Sequence, residues 1–337
     1  MKFINITHND LDGIGCSVVA SYVAKEMNLE FINYNVKIGS QGKLLSDIIA
    51  NGDPEIREIL VSDMGISVEI AEKLNDIQHS KRSTNVTWID HHETNVAIGN
   101  KYEWATVRSV DGFGVPISAT KLMVSHYKRL LSILPIYDAL ANFAEIVSRY
   151  DTWEWKNNPS PVYKKSEEDL NILFQDLGIS KTIQLFSNII NESKGKAVFE
   201  LPAHYKELVR DKKEDRQLYI DNAIKRARTF VWHIDSVPYR VKMFIPKEKY
   251  FNAEITGIYE DESFEDLDFV VGLVPQNHSV SLRSNKKYLN LGEIAAKLGG
   301  GGHFSAAGAI LPVNEFLHLL EHYYYYNELK EDSWGIL

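Results

Sequence analysis

Cysteine is nearly absent from this chain: Cys16 is the single thiol in 337 residues. One thiol excludes an intramolecular disulfide and any zinc site built on several thiolates. Long apolar runs are missing as well, since no stretch reaches the ~18 residues that mark a membrane-spanning helix. The opening Met1-Lys2-Phe3-Ile4-Asn5 lacks the apolar run of a secretion signal, so a cytoplasmic protein is expected. Positive charge is in deficit, with 37 Lys+Arg against 46 Asp+Glu and a net charge of -9. A chain of that sign has no summed positive field for long nucleic acid, so a polyanionic substrate must be small or gripped locally. Internal repeats and low-complexity segments are missing too. Apolar material is ample, at 44% hydrophobic and 11% aromatic residues, and the length suits about two domains.

The densest chemistry lies in Trp88-Ile89-Asp90-His91-His92-Glu93, reached through the short strand pattern Asn85-Val86-Thr87. Three adjacent groups able to bind or orient a metal, placed where a strand ends, are hard to explain as packing. In open α/β sheets, the loops at the carboxyl ends of strands converge on a ligand-binding crevice.

The first half of the chain repeats that pattern. A strand over Phe3–Thr7 runs into His8-Asn9-Asp10-Leu11-Asp12-Gly13 and a helix over Ile14–Met27. A histidine and two carboxylates on such a turn fit a ligand site, the alternative being a helix N-cap with solvated neighbours. Glu30–Val36 reads as a second strand and Gly39–Ala50 as containing a helix. A third strand, Glu58–Ser62, ends in Asp63-Met64-Gly65, and Ser67 caps the helix that follows. Tyr102–Val107 reads as a strand, and Val115–Leu131 and Pro135–Arg149 as helices, the second ending near Asp151. Alternating strands and helices give a parallel sheet whose carboxyl ends share one edge. His8, Asp10, Asp12, Asp63, Asp90, His91 and His92 fall on that edge. Trp153 and Trp155 read as core or domain-interface aromatics.

Helices over Leu170–Ile190 and Tyr205–Thr229 lead to a strand-rich end beginning near Trp232. Strands Tyr239–Ile245, Phe269–Val274 and Ser279–Arg283 precede a helix over Leu291–Leu298 and the run Gly299-Gly300-Gly301-Gly302-His303. Four consecutive glycines cost backbone entropy. They suit either a helix cap and tight turn, or a bare backbone that a phosphate can approach beside His303, with Arg283 as the cation. A closing helix covers Phe316–Tyr326.

His8, Asp10, Asp12, Asp63, Asp90–His92 and Asp151, in this order, resemble the motifs of the DHH phosphoesterase superfamily, and Arg283 with Gly299–Gly308 resembles the first type of DHH-associated C-terminal domain. The size and the His8–Gly13 opening look most like the bacterial nano-RNases, or oligoribonucleases. The resemblance implies an α/β fold with a parallel-sheet DHH catalytic domain over 1–190, a helical connection over 191–230 and a smaller α/β substrate-binding domain over 231–337. It implies two manganese ions, with magnesium, cobalt or zinc as substitutes: His8 and Asp10 on one, Asp12, His91 and Asp151 on the other, and Asp63 between them. Asp90 would orient a histidine and His92 would face the substrate, while Arg283, Gly300, Gly301, Gly302 and His303 would hold its far end.

The implied activity is metal-dependent hydrolysis of short oligonucleotides or linear dinucleotides to nucleoside monophosphates by an activated hydroxide. Alternatives are a cyclic-dinucleotide phosphodiesterase, a 3',5'-bisphosphonucleotide phosphatase, a RecJ-like single-strand exonuclease and, from another class, a non-catalytic nucleic-acid-binding scaffold. Neither a membrane partner nor stable binding of long nucleic acid is expected, and the oligomeric state is left open, a homodimer included.

Overall fold

A computed structural model of the chain describes residues 1–325 except 38, 81–83, 159, 161, 163–165, 194, 248–250, 262–263 and 303. It divides into two compact units, Met1–Val209 and Arg210–Leu337. No helix among the described residues is long and apolar enough to cross a membrane.

The first unit alternates strand and helix: β1 (Lys2–His8), α1 (Leu11–Glu26), β2 (Glu30–Val36), α2 (Gln41–Asn51), β3 (Ile56–Ser62), α3 (Val68–Gln78), β4 (Asn85–Asp90), α4 (Glu93–Gly99) and β5 (Ala105–Val107). Helices α5 (Ala119–His126), α6 (Lys128–Leu131), α7 (Tyr137–Asp151), α8 (Glu154–Asn157), α9 (Ser166–Leu177) and α10 (Ile179–Glu192) follow. The strands pair in parallel in the order β2-β1-β3-β4-β5. That order reverses direction between β1 and β3, and the crevice beyond the carboxyl ends there is the ligand position of open α/β sheets.

The strands' side chains divide between two apolar layers. Phe3, Leu60 and Ile89 join the cluster containing α1, α5, α7, α9 and α10, while Ile4, Ile6, Val61 and Trp88 pack with α2 and α3 on the other side. Helix α1 is buried from Leu11 to Val19, which is why its sequence is apolar or small all round instead of amphipathic.

The second unit begins within α11 (Ala203–Arg226) and continues through β6 (Arg228–Ile234), β7 (Val237–Phe244), α12 (Phe251–Glu260), β8 (Phe269–Val274), β9 (Ser279–Arg283), α13 (Leu291–Lys297), β10 (Gly301–Gly302), β11 (Ala306–Ile310) and α14 (Val313–Tyr325). Its sheet has the order β10-β11-β9-β8-β7-β6. The β7–β8 pairing is parallel and the others are antiparallel.

Several expected boundaries shift. Helix α1 starts at Leu11, not Ile14, because Asp10 caps it by accepting from the Gly13 N–H at 3.0 Å. The helix expected from Val115 starts at Ala119: Val110 bridges Pro116, which keeps 115–117 extended, and Ser118 is the cap. The single helix expected over Leu170–Ile190 is two, α9 and α10, broken at Gly178 with φ +75°. The strand expected from Tyr102 shortens to β5, while α4, β6 and α12 are elements the pattern reading did not distinguish. Trp153 is 50% exposed, which excludes the core among its two expected places, and Trp155 stacks on Tyr150 at 5.8 Å.

Candidate metal centre

Each group of the centre is delivered by a local device. His8 is the last residue of β1, and its Nδ1 lies 2.6 Å from Asp10 Oδ2. Gly13 permits the tight turn between them, since a Cβ there would sit 2.0 Å from the His8 carbonyl oxygen. Asp12 lies in the first turn of α1, almost fully buried. Its two carboxylate oxygens accept from the Ala119 N–H at 2.8 Å and the Thr120 N–H at 3.0 Å, the free donors at the start of α5.

Asp63 follows β3 in the left-handed region, with φ +55°. That backbone conformation is costly for most residues and tolerated by Asp and Asn. It is held from both sides: the Asp63 N–H donates to Ile89 O at 3.0 Å, and the Trp88 indole N–H donates to Met64 O at 2.9 Å. The carboxylate turned inward is 2% exposed, and Oδ2 has no hydrogen-bond partner among the described residues.

His91 stands just after β4, and its Nε2 lies 3.3 Å from Asp63 Oδ1, 3.5 Å from Asp151 Oδ2 and 3.7 Å from Asp12 Oδ2. Asp151 closes α7. Beside them, Asp90 accepts from the His91 N–H at 2.9 Å and from His92 Nδ1 at 2.7 Å, and the two imidazoles pack with centroids 4.4 Å apart.

The electrostatics follow from burying so many carboxylates together. Burial foremost, then Asp12, Asp10, Asp151 and Asp90, pushes the Asp63 carboxyl well above the usual range. Asp151 is pushed up likewise, by burial and then by Asp12 and Asp10. Burial is the largest influence on Asp90 and pushes it up, but the His92 hydrogen bond and charge, with Asn95 and His91, together outweigh it and hold the carboxyl low; the His92–Asp90 bond also raises the His92 imidazole.

Candidate donor atoms fall into overlapping groups: His8, Asp10 and Asp63; Asp12, His91 and Asp151; and Asp63, His91 and His92. Within each group the atoms lie within 4.8 Å of one another. These groups can hold divalent metal. A cation would offset the mutual repulsion of the carboxylates and give the unpartnered Asp63 oxygen a ligand, and an imidazole–carboxylate set without thiolate suits manganese or magnesium.

The DHHA1 domain family matches residues 242–325. Oligoribonuclease NrnB of Bacillus subtilis is 29% identical over 321 residues, which cover 90% of this chain and 71% of that protein. The crystal structure of exonuclease RecJ bound to manganese superposes with a TM-score of 0.57 at 13% identity, covering 96% of this chain and 89% of RecJ. The pGpG-specific phosphodiesterase PggH from Vibrio cholerae superposes with 0.54 at 14% identity, covering 95% and 97%. The chain is thus similar to DHH-type phosphodiesterases over most of its length, with a DHHA1 match in its second unit.

The DHHA1 residues singled out above have distinct surroundings. Arg283 ends β9 half-buried, donating to Ser281 Oγ at 3.1 Å and Leu282 O at 2.8 Å, and no carboxylate pairs with it among the described residues. The glycine run divides by cause. A Cβ on Gly300 would meet Gly308 O at 2.1 Å, and one on Gly302 would meet Ala307 Cα at 2.5 Å, so both are required by close backbone packing. Gly299 and Gly301 both have nothing within 4 Å, but Gly299 is held at φ +76°, so Gly301 is the position open without backbone strain. His303 lies outside the described residues.

Two supports of the candidate centre escaped the reading of the sequence. Asn95 Nδ2 donates to Asp90 Oδ2 at 2.6 Å, taking the oxygen that the histidine side leaves free. A polar chain, buried at Ser62 and Asn5 and partly buried beyond, runs from Ser62 to Asn5, to Asn33 and to Asn35, whose Nδ2 reaches the His8 carbonyl oxygen at 2.9 Å. It ties the ends of β1 and β3 together. Asparagines alternating at 33 and 35 in a strand that otherwise reads as apolar were the available signal.

Proposed function

We propose that this chain is a metal-dependent phosphodiesterase that hydrolyses short oligonucleotides or linear dinucleotides to nucleoside monophosphates, with two manganese ions as its cofactor. The observation that carries the reading is the placement of Asp63 within reach of both donor sets, one from His8 and Asp10 and the other from Asp12, His91 and Asp151. In this reading those residues hold the two cations and Asp63 is shared. Bound there, the cations supply a water of lowered pKa and positive charge for the phosphoryl oxygens.

The chain's own groups do the rest. The carboxylate of Asp90, held by Asn95, accepts the Nδ1–H of His92 and keeps that imidazole protonated to higher pH. Its other nitrogen is then a donor to the substrate. With 43% of the side chain exposed, His92 can reach a phosphate oxygen or a leaving oxygen. In the DHHA1 domain, the guanidinium of Arg283 offers unused N–H groups to a terminal phosphate, and Gly301 leaves the backbone bare for its approach. Similarity to an oligoribonuclease and the chain's negative charge both favour short substrates over long strands.

The test is a panel of linear dinucleotides, longer single strands, cyclic dinucleotides and 3',5'-bisphosphonucleotides incubated with manganese, with a chelator control. Dinucleotides and the shortest oligomers are expected to yield monophosphates fastest, and the chelator to stop the reaction. Faster turnover of the cyclic, bisphosphate or long substrates would replace this reading.

A further inference from the structure

The hairpin between β5 and α5 is planted at the metal centre by both feet. At one foot the Arg108 N–H donates to Asp90 O at 3.0 Å, and Ser109 Oγ donates to Glu93, the residue after His92. At the other, the Ala119 and Thr120 N–H groups donate to Asp12, and the Ser118 N–H donates to Ser148 Oγ at 3.1 Å, one turn before Asp151. The arms are closed by the Val110–Pro116 bridge, by Asp111 N–H to Val115 O at 2.8 Å and by Ile117 N–H to Ser109 O at 3.2 Å.

Its tip is a built turn. Asp111 Oδ1 accepts from the Phe113 N–H at 2.9 Å and the Val115 N–H at 3.0 Å, and Gly114 supplies φ +79°. This turn displays Phe113 at 95% exposure, the most exposed large apolar side chain among the described residues. A lone exposed apolar residue needs no explanation; one held on a turn whose feet grip the Asp12 carboxylate and the Asp90 main-chain carbonyl does. Phe113 is five positions after Arg108, so the tip stands at most about 18 Å from the foot, a reach that a short oligonucleotide covers. Arg108 is itself exposed and, among the described residues, no carboxylate pairs with it, which adds a cation along that path.

We infer that Phe113 is a nucleobase-stacking residue, the platform for a base of the nucleotide next to the scissile phosphate. The inference rests on the phosphodiesterase reading for its substrate class. Aromatic faces stack on any base, so the platform would add affinity for a nucleotide without choosing its identity.

The experiment measures binding of an uncleavable linear dinucleotide by calorimetry to the full chain, beside hydrolysis of the cleavable one. Phe113→Ala and Phe113→Leu are expected to weaken binding by about tenfold, the effect of losing one stacked base, while Phe113→Tyr retains it. A dinucleotide with the stacked base replaced by an abasic sugar should bind wild type and Phe113→Ala equally weakly. Affinity within about twofold of wild type for Phe113→Ala, or full affinity in the leucine variant, overturns the inference. If wild type binds as described but does not hydrolyse the dinucleotide, the catalytic reading fails and the stacking site stands. If wild type binds no dinucleotide, both fall.

Discussion

Asp63 concentrates the conflict on which the centre depends. Its backbone is left-handed, its carboxylate is buried among four others, and one oxygen has no partner among the described residues. Such a residue makes sense as a ligand and poorly as a support. Asn is the informative replacement because it keeps the shape and tolerates the left-handed backbone. In Asp63→Asn the metal-free protein should melt at the same temperature as wild type or higher, because a buried charge is gone. Stabilisation by manganese should be lost, and activity should fall by more than about 100-fold, beyond the usual effect of an outer partner. Differential scanning calorimetry with and without manganese, beside turnover of a dinucleotide, checks this. A variant melting well below wild type in chelator would mean that Asp63 is a structural residue.

At the scale of elements, the site depends on how closely α1 and α5 approach. Gly15 of α1 faces Thr120 of α5, and a Cβ there would sit 2.2 Å from Thr120 Oγ1. The same Thr120 donates its N–H to Asp12 and its hydroxyl to the Asp12 carbonyl oxygen at 2.8 Å. Gly15→Ala therefore pushes apart the two helices that orient Asp12. The expected cost is about 1–3 kcal/mol of stability, by overpacking, together with weaker metal binding. Gly42 of α2, whose Cβ would meet nothing within 4 Å, is the control, and Gly42→Ala should be neutral or stabilising by up to about 1 kcal/mol. Urea titrations of both variants decide it; equal midpoints would refute the close-packing account. The elements themselves were legible where a cap or breaker is local, as with Ser67, whose side chain accepts from the Ile70 N–H. They were not where pairing over distance decides, as with the extended 115–117 segment held by Val110.

For the whole molecule, the crowded carboxylates link folding to metal and pH. The folded-state pKa values of Asp63 and Asp151 lie above the usual carboxylate range, so ionising them opposes folding. That penalty is complete above their folded pKa and vanishes as pH falls toward the unfolded value. The His92 pKa is raised, so its contribution is complete below the usual imidazole value and is lost as pH rises through the folded one. Both act in one direction: these groups add stability to the metal-free protein as pH is lowered from about 8 to about 5, against the partly buried His126 and His322, whose depressed imidazole pKa values take part of it back. Manganese should raise the melting temperature most at the alkaline end, and this gain should shrink on acidification, since protons compete for the ligands. Two melting series, in chelator and in manganese, test the linkage; a manganese gain that grows as pH falls would contradict it.

The sequence by itself determined which chemistry was available: His8, Asp10, Asp12, Asp63, His91 and Asp151 at the ends of recognisable strands and helices, because strand and helix periodicity is read from neighbours in the chain. Only the tertiary structure decided which groups support them. The α5 amides on Asp12, 107 and 108 residues away, Asn35 on the His8 carbonyl and Gly15 under Thr120 all depend on the order in which strands and helices pack, and no local pattern encodes that order.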